Sequence, residues 1–244
     1  MINIETLKLL KNSRQDSYKE LKGLFLYHTN KIEGSTFTQL QISLLINEGI
    51  VQGQHNIDDI METNNSIELF DLIVDGLGKD KITKIYLRQM HNILKAKTSD
   101  EDRGFAGKFK PIPNMISGSK VKLAQPYEVE EKLEELLSRK IKSIEDIAIF
   151  HKDFEMIHPF TNGNGRIGRM LVFKQCFEND IVPPLILDEH SLEYKKALAE
   201  SQLTDDNSFI IESFKEGQEE IKNTDIYAFL KEIEKIDIKD KSDV

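Results

Sequence analysis

The sequence predicts a mainly α-helical fold with one short interruption of extended chain, and three observations carry that prediction. Apolar residues recur at helical spacing through most of the 244 residues. Ser, Thr and acidic side chains stand at the starts of several of those stretches, and glycine or proline closes several of them. Only residues 104–122 change character. Gly104, Gly107, Pro111, Pro113 and Gly118 cut them into short extended pieces that read as an ordinary surface loop or as a small β-hairpin.

Taken in order, residues 4–28 read as one long helix, with Leu7, Leu10, Leu21, Leu24 and Phe25 on its apolar side. It runs into Thr29-Asn-Lys-Ile-Glu33-Gly34, where Gly34 is a natural stop and Ser35–Thr38 offer caps for the next helix, 38–48, ended by Gly49. A polar loop over 51–56 leads to a helix over 57–74, with Ile60, Ile67, Phe70, Ile73 and Val74 apolar. Thr83 caps a helix through Leu94 whose Ile85, Leu87, Met90, Ile93 and Leu94 point inward; His91 reads there as a partly buried core residue. Residues 127–140 form a charged amphipathic helix, and 143–157 another, with Ser143 as N-cap and Glu145 and Asp146 in its first turn. Pro159 cannot continue that helix and biases His158 away from helical geometry. The helical pattern resumes from Gly165 to about Phe177. Residues 181–186, with Pro183 and Pro184, make a rigid connector; 191–202, 208–222 and 225–236 are helical, and 239–244 are a charged tail that frays. The chain thus divides into an N-terminal helical region (1–50), a core (51–200) and C-terminal helices packed on the same domain (201–244).

Composition excludes several classes. Hydrophobic residues are 39% and charged residues 31%, a globular rather than a disordered profile. The net charge of −9 argues against general binding to nucleic acid or anionic membranes. No apolar run approaches the roughly 20 residues of a membrane span, and the N-terminus lacks a secretion signal's basic and apolar regions. Cys176 is the single cysteine, so no intrachain disulfide forms, and its neighbours Val172, Phe173 and Phe177 predict packing. A cytoplasmic location follows from these readings.

The chemistry concentrates in residues 158–169, His-Pro-Phe-Thr-Asn-Gly-Asn-Gly-Arg-Ile-Gly-Arg. Gly163 and Gly165 let the backbone turn and approach a ligand closely, just where a helix begins. A helix N-terminus exposes unpaired N–H groups and a partial positive charge, so it holds phosphate. Arg166 and Arg169 lie three apart on the first turn and can reach one polyanion, since guanidinium forks match phosphate oxygens. An imidazole, with an unperturbed pKa of about 6.5, can take a proton from a hydroxyl at neutral pH, which is the role open to His158. Asn162 offers a carbonyl oxygen to a phosphate-bound Mg²⁺. Against this, His158 taken alone reads more often as a satisfied histidine at a helix end. Gly163-x-Gly165-x-x-Gly168 formally fits a dinucleotide fingerprint, but a helix rather than a strand precedes it, and no Gly-Lys-Ser/Thr follows. His151 and His158 suggest no third metal ligand.

The twelve residues resemble the signature of the Fic family, His-Pro-Phe-x-(Asp/Asn)-Gly-Asn-Gly-Arg-x-x-Arg, at every fixed position. The resemblance, over roughly residues 20–200, implies a Fic-type helical domain with a β-hairpin flap, and transfer of AMP from ATP to a protein Ser, Thr or Tyr hydroxyl. It implies His158 as base, the Gly163–Asn164–Gly165 segment as anion hole, Arg166 and Arg169 on the distal phosphates, and Asn162 toward Mg²⁺. Many members carry Asp or Glu at that last position, so the neutral Asn162 implies a weaker grip on the metal. Thr29-x-x-x-Glu33-Gly34, by its residues alone a helix end, is similar to the family's inhibitory (Ser/Thr)-x-x-x-Glu-(Gly/Asn) motif. There the carboxylate pairs with the second arginine, here Arg169, and competes with the γ-phosphate. Glu62-x-x-Asn65 is similar to a family helix near that segment, and Tyr194 falls where members place an aromatic near the nucleotide, although packing on the central helix suits it better.

In the resemblance, 104–122 takes the place of the flap that lays a target segment beside the site by strand pairing, with Phe109, Ile112 and Ile116 selecting. Lys108 and Lys110 would contact phosphate or water. The expected partners are a protein bearing a hydroxyl and the chain itself, with homo-oligomers left open. Two alternatives use the same residues: hydrolytic removal of AMP from a modified protein, with Glu33 positioning a water, and a non-catalytic nucleotide-binding or toxin-partner module.

Overall fold

Twelve α-helices follow one another among the described residues of the computed structural model, which are 3–115 and 120–242, with side chains described through Glu234. They are α1 (Ile4–Ser13), α2 (Gln15–Ile32), α3 (Gln39–Glu48), α4 (Ile57–Gly76), α5 (Lys84–Leu94), α6 (Ser99–Asp102), α7 (Val129–Leu137), α8 (Ile144–Ile157), α9 (Asn164–Glu178), α10 (Ser191–Thr204), α11 (Ser208–Lys222) and α12 (Asp225–Ser242). The local signals for helix starts are realised. Thr38 and Ser143 each form a reciprocal capping box, and the Thr83 hydroxyl accepts from the Tyr86 N–H. Gly49 closes α3 at φ 69°, a left-handed conformation that glycine adopts without strain.

Helix α9 is the axis. It is buried from Arg166 to Phe177 and separates two apolar clusters. On one side Ile167, Met170, Leu171, Phe173 and Phe177 join α1, α2, α4, α5 and α12; Phe173 lies 5.0 Å from Phe25, 4.8 Å from Phe70 and 4.7 Å from Phe177, ring centre to ring centre. On the other side Val172 and Cys176 pack with Ile147, Tyr194, Ile210 and Phe214, and burial pushes the Cys176 thiol pKa up. A helix covered all round has no amphipathic stripe, which is why its two arginines have to find partners inside the protein. Helices α8 and α9 cross closely at Gly168. A Cβ there would lie 2.6 Å from Glu155 Oε1 and 2.9 Å from His151 Cε1.

The structure corrects four expectations. The helix read over 4–28 breaks at Arg14 (φ −137°, ψ 62°), so α1 folds back and puts Leu7 and Leu10 into the same cluster as Leu21 and Phe25. Ile85 is 68% exposed; Tyr86 takes the inward place. Helix α12 continues through Ser242 where fraying was expected. Most consequentially, the described residues contain no strand, so the β-hairpin flap expected over 104–122 is not supported. Backbone groups of that stretch are spent elsewhere: the Lys110 N–H on Pro159 O (2.8 Å) and the Gly107 N–H on His91 Nδ1 (3.0 Å). Ile116 and Gly118 lie outside the described residues. No helix among the described residues is long and apolar enough to cross a membrane.

Candidate active site

The end of α8 and the start of α9 build the site. The His158 N–H bonds Phe154 O (2.8 Å) and closes α8, while the residue itself turns left-handed at φ 48°. The loop that follows is stapled by Asn164, whose Oδ1 accepts from the Phe160 N–H (2.9 Å) and whose Nδ2 donates to Phe160 O (2.8 Å). Asn164 therefore contributes its backbone to the site and spends its side chain on the loop. Gly163 enters α9 at φ 77°, where a Cβ would crowd Lys95 Cε at 3.0 Å and Leu94 Cδ2 at 3.2 Å. The Ile167 N–H is the one that returns to Gly163 O (3.1 Å), so the N–H groups of Asn164, Gly165 and Arg166 precede it on the open end of the helix.

His158 Nδ1 lies 3.3 Å from the backbone oxygen of Glu155. That oxygen can only accept, so Nδ1 carries the proton and Nε2 keeps a lone pair for a proton acceptor's role. The Arg169 guanidinium is buried and held by the end of α2. Its Nε donates to Thr29 Oγ1 (3.1 Å), and its Nη2 to Thr29 O (3.0 Å) and Glu33 Oε1 (2.7 Å). Glu33 reaches over the first turn of α9, where a Cβ on Gly165 would meet its Oε1 at 2.2 Å. Burial works against its charge, but Arg169, followed by Arg166, outweighs burial and holds the carboxyl below the usual carboxylate range. The same contact overcomes burial to raise Arg169. The Glu33 side chain keeps 29% of its surface exposed, so the clamp faces solvent on one side.

A second chain of charges starts at Arg166. Its guanidinium pairs with Glu62, Glu62 pairs with Lys95 (2.5 Å), and Lys95 with Asp100 (2.9 Å). Asp100 also binds Arg103 (2.7 Å), and its Oδ1 and Oδ2 accept from Asn162 Nδ2 at 3.2 and 3.3 Å. That turns the Asn162 carbonyl oxygen away from the carboxylate. Among the described residues no group of three or more His, Cys, Asp or Glu is arranged to hold a metal. One neutral oxygen fits a Mg²⁺ ion that arrives on nucleotide phosphates, rather than one held by the protein alone.

The segment after α6 braces the loop. His91 stacks on Phe160 (4.0 Å between ring centres), donates from Nε2 to Asn162 O (3.0 Å) and accepts the Gly107 N–H at Nδ1. Burial lowers its pKa to about 4, so it is neutral at pH 7. Lys110, expected at phosphate or in water, is instead buried: its Nζ donates to Ile157 O (3.1 Å) and Asn114 Oδ1 (2.8 Å), and burial lowers its pKa to about 8. Phe109 packs on Phe160, and Ile112 is 62% exposed. Tyr194 is buried, its hydroxyl 2.6 Å from His151 Nε2, which is the packing role.

The structure thus gathers His158, Asn162, Gly163, Asn164, Gly165, Arg166, Arg169 and Glu33 around one helix terminus. Reading the sequence alone left out Lys95, Asp100 and His91, whose partners are distant in the chain and which carry no local signal. It also left out Glu155, which the three-residue spacing to His158 marks as a neighbour on the same helix face.

Comparison with known proteins follows the same lines. Residues 81–176 match the Fic/DOC family. The chain is 24% identical over 203 residues to "Protein adenylyltransferase fic-1" of Caenorhabditis elegans, a match covering 79% of this chain and 39% of that protein. Over 78 residues, 32% of this chain and 22% of the relative, it is 33% identical to "Probable protein adenylyltransferase aq_aa38" of Aquifex aeolicus. The chain therefore spans well under half the length of the curated relatives it matches. Among solved structures it resembles a Fic domain containing signaling protein from Bacteroides thetaiotaomicron (TM-score 0.70, 21% identity, 91% of this chain and 96% of that one). It also resembles a fragment of Fic-1 from C. elegans (TM-score 0.71, 24% identity, 90% of this chain and 67% of that one). At these identities the structural likeness speaks for the fold.

Proposed function

We propose, because residues 81–176 match the Fic/DOC family, that this chain transfers AMP from ATP to a Ser, Thr or Tyr hydroxyl of a protein, itself included, and that Glu33 restrains the reaction. The observation that carries the reading is the anion already at the α9 terminus. A carboxylate lies against Gly165 and pairs with a buried guanidinium, in a place whose open N–H groups suit phosphate.

In the proposed reaction His158 Nε2 takes the proton of the target hydroxyl as its oxygen bonds the α-phosphorus. The bond from that phosphorus to the bridging oxygen breaks, and its electron pair leaves with pyrophosphate. The backbone of Gly163, Asn164 and Gly165 faces the charge that develops, and pre-aimed donors of this kind stabilise a transition state without reorganising. Arg166 and Arg169 orient the β- and γ-phosphates. Asn162 Oδ1 would hold Mg²⁺ together with those phosphates, and the ion when bound neutralises phosphate charge.

Glu33 and the γ-phosphate are anions competing for Arg169. Losing one charge-assisted bond costs about 1.5 kcal/mol or more, roughly tenfold in productive binding, and the partial exposure of Glu33 keeps the value near that lower end. The test is label transfer from ATP labelled at the α- or the γ-phosphate, with Mg²⁺, comparing wild type, Glu33→Gly and Glu33→Gly/His158→Ala. Protein labelled from the α-position only, more without Glu33 and none without His158, supports the reading. Label from the γ-position would make the chain a kinase, and no label in any variant would count against transferase activity.

A further inference from the structure

The proposed base has a neighbour to which no role has been given. We propose that Glu155 is the positioning residue for His158: its carboxylate and its own backbone oxygen together hold the Nδ1 proton, so that Nε2 faces the incoming hydroxyl. The inference rests on the proposed transfer for its consequence, though not for its geometry.

Glu155 lies three residues before His158 on the last turn of α8, and the two oxygens it offers converge on one atom. Its backbone oxygen is 3.3 Å from His158 Nδ1 and its Oε2 is 3.5 Å away. The second distance is an ionic contact rather than a hydrogen bond, and such contacts tighten when the catalytic complex forms. The side chain is only 7% exposed. Its other oxygen, Oε1, is buried and finds no hydrogen-bond partner among the described residues. A carboxylate in such a place costs stability unless a donor or a positive charge compensates it, and its neighbours Phe154 and Ile157 are buried apolar residues that supply neither.

The fold also makes room for it. Gly168 on the facing helix leaves the space that Oε1 fills, since a Cβ there would come within 2.6 Å. The charged and titratable groups that bear on Glu155 are His151, Arg169 and Tyr194. His151 is neutral at pH 7, its pKa lowered to about 4 by burial, Tyr194 is a buried hydroxyl, and Arg169 is committed to Thr29 and Glu33. His158 is the partner left for the carboxylate. When Nε2 takes the hydroxyl proton, the imidazolium forms with its other N–H already aimed at a negative charge, the arrangement by which a carboxylate orients a catalytic histidine elsewhere.

The test uses the whole 244-residue chain with ¹⁵N-labelled histidine, the His158 resonances being assigned by their loss in His158→Ala. At about pH 8.5, where imidazoles are neutral, wild type is expected to show the Nδ1–H tautomer. Glu155→Ala keeps the backbone oxygen and loses the carboxylate, and is expected to hold a smaller share of the Nδ1–H tautomer than wild type. In the Glu33→Gly background, Glu155→Gln, which keeps an acceptor oxygen without the charge, is expected to retain the tautomer and lose kcat about tenfold or more, with KM for ATP within twofold. If Glu155→Ala does not fold, judged by its melting curve, the Gln variant decides by its split between kcat and KM. An unchanged tautomer in a folded Glu155→Ala, or a Gln variant with kcat intact, would overturn the inference. Because the tautomer is read without turnover, failure of the transfer assay itself would count against the proposed reaction and leave the positioning inference to stand or fall on the spectra.

Discussion

Glu33 and Glu62 each hold one of the two guanidiniums that the motif supplies, yet they are not equivalent. Glu33 touches solvent and belongs to a helix end; Glu62 is 15% exposed and also carries Lys95. Removing one partner from a buried ion network leaves the others uncompensated. Glu62→Gln is therefore expected to destabilise the fold by about 3 kcal/mol in urea unfolding, without raising label transfer. Glu33→Gly is expected to raise transfer about tenfold and to lower the unfolding midpoint less than Glu62→Gln, because Arg169 keeps its two bonds to Thr29. Equal behaviour of the two variants would contradict the distinction. For His158→Ala the expectation is loss of transfer with ATP affinity kept within a few-fold, since a base acts in the transition state; loss of ATP binding in calorimetry would make His158 structural.

Among the elements, the pair α8 and α9 depends on one absent side chain. Gly168→Ala would press a methyl against Glu155 and His151, an overpacking expected to cost about 1–3 kcal/mol in thermal or urea unfolding. A wild-type midpoint would mean that the crossing adjusts freely. The helices themselves were legible because their signals are local: the caps at Thr38, Thr83 and Ser143 and the apolar spacing of α4, α5 and α8 need no knowledge of the rest of the chain. The segment 104–115 was not legible for the opposite reason. Its glycines and prolines announce turns, but only the folded protein reveals that Lys110, Gly107 and Asn114 pair with the 157–160 loop and with His91 instead of with one another. The break at Arg14 belongs to the same class, since its guanidinium lies over Phe229, far along the chain (5.7 Å).

For the whole molecule, the site was readable where it is contiguous and hidden where it is assembled. Residues 158–169 announce a helix terminus with two arginines, whereas Lys95, Asp100 and His91 reach that terminus only through packing. Two of the buried groups carry a measurable consequence. His91 and His151 are neutral in the fold, with pKa values lowered to about 4 by burial, while in the unfolded chain each has the ordinary value of about 6.5. Between those values the unfolded chain binds more protons, so stability is full above about pH 6.5 and declines as the pH falls toward 4, by as much as roughly 3 kcal/mol per histidine. Urea unfolding at a series of pH values is expected to show that slope, and His91→Asn should reduce it; a flat profile over the window would contradict the buried neutral state.

The end of α2 is fastened from outside the site: Lys195 Nζ donates to Ile32 O (2.8 Å), and His28 Nδ1 lies 2.9 Å from Asp188. On the proposed reading these fastenings make Glu33 a tethered ligand, present at Arg169 with an effective concentration that for short links is of millimolar order. Free ATP then has to outnumber a competitor that never diffuses away. Whatever loosens residues 28–33 from 188–195 dilutes that competitor, and so lowers the nucleotide concentration at which the reaction begins while leaving every reacting group where it was.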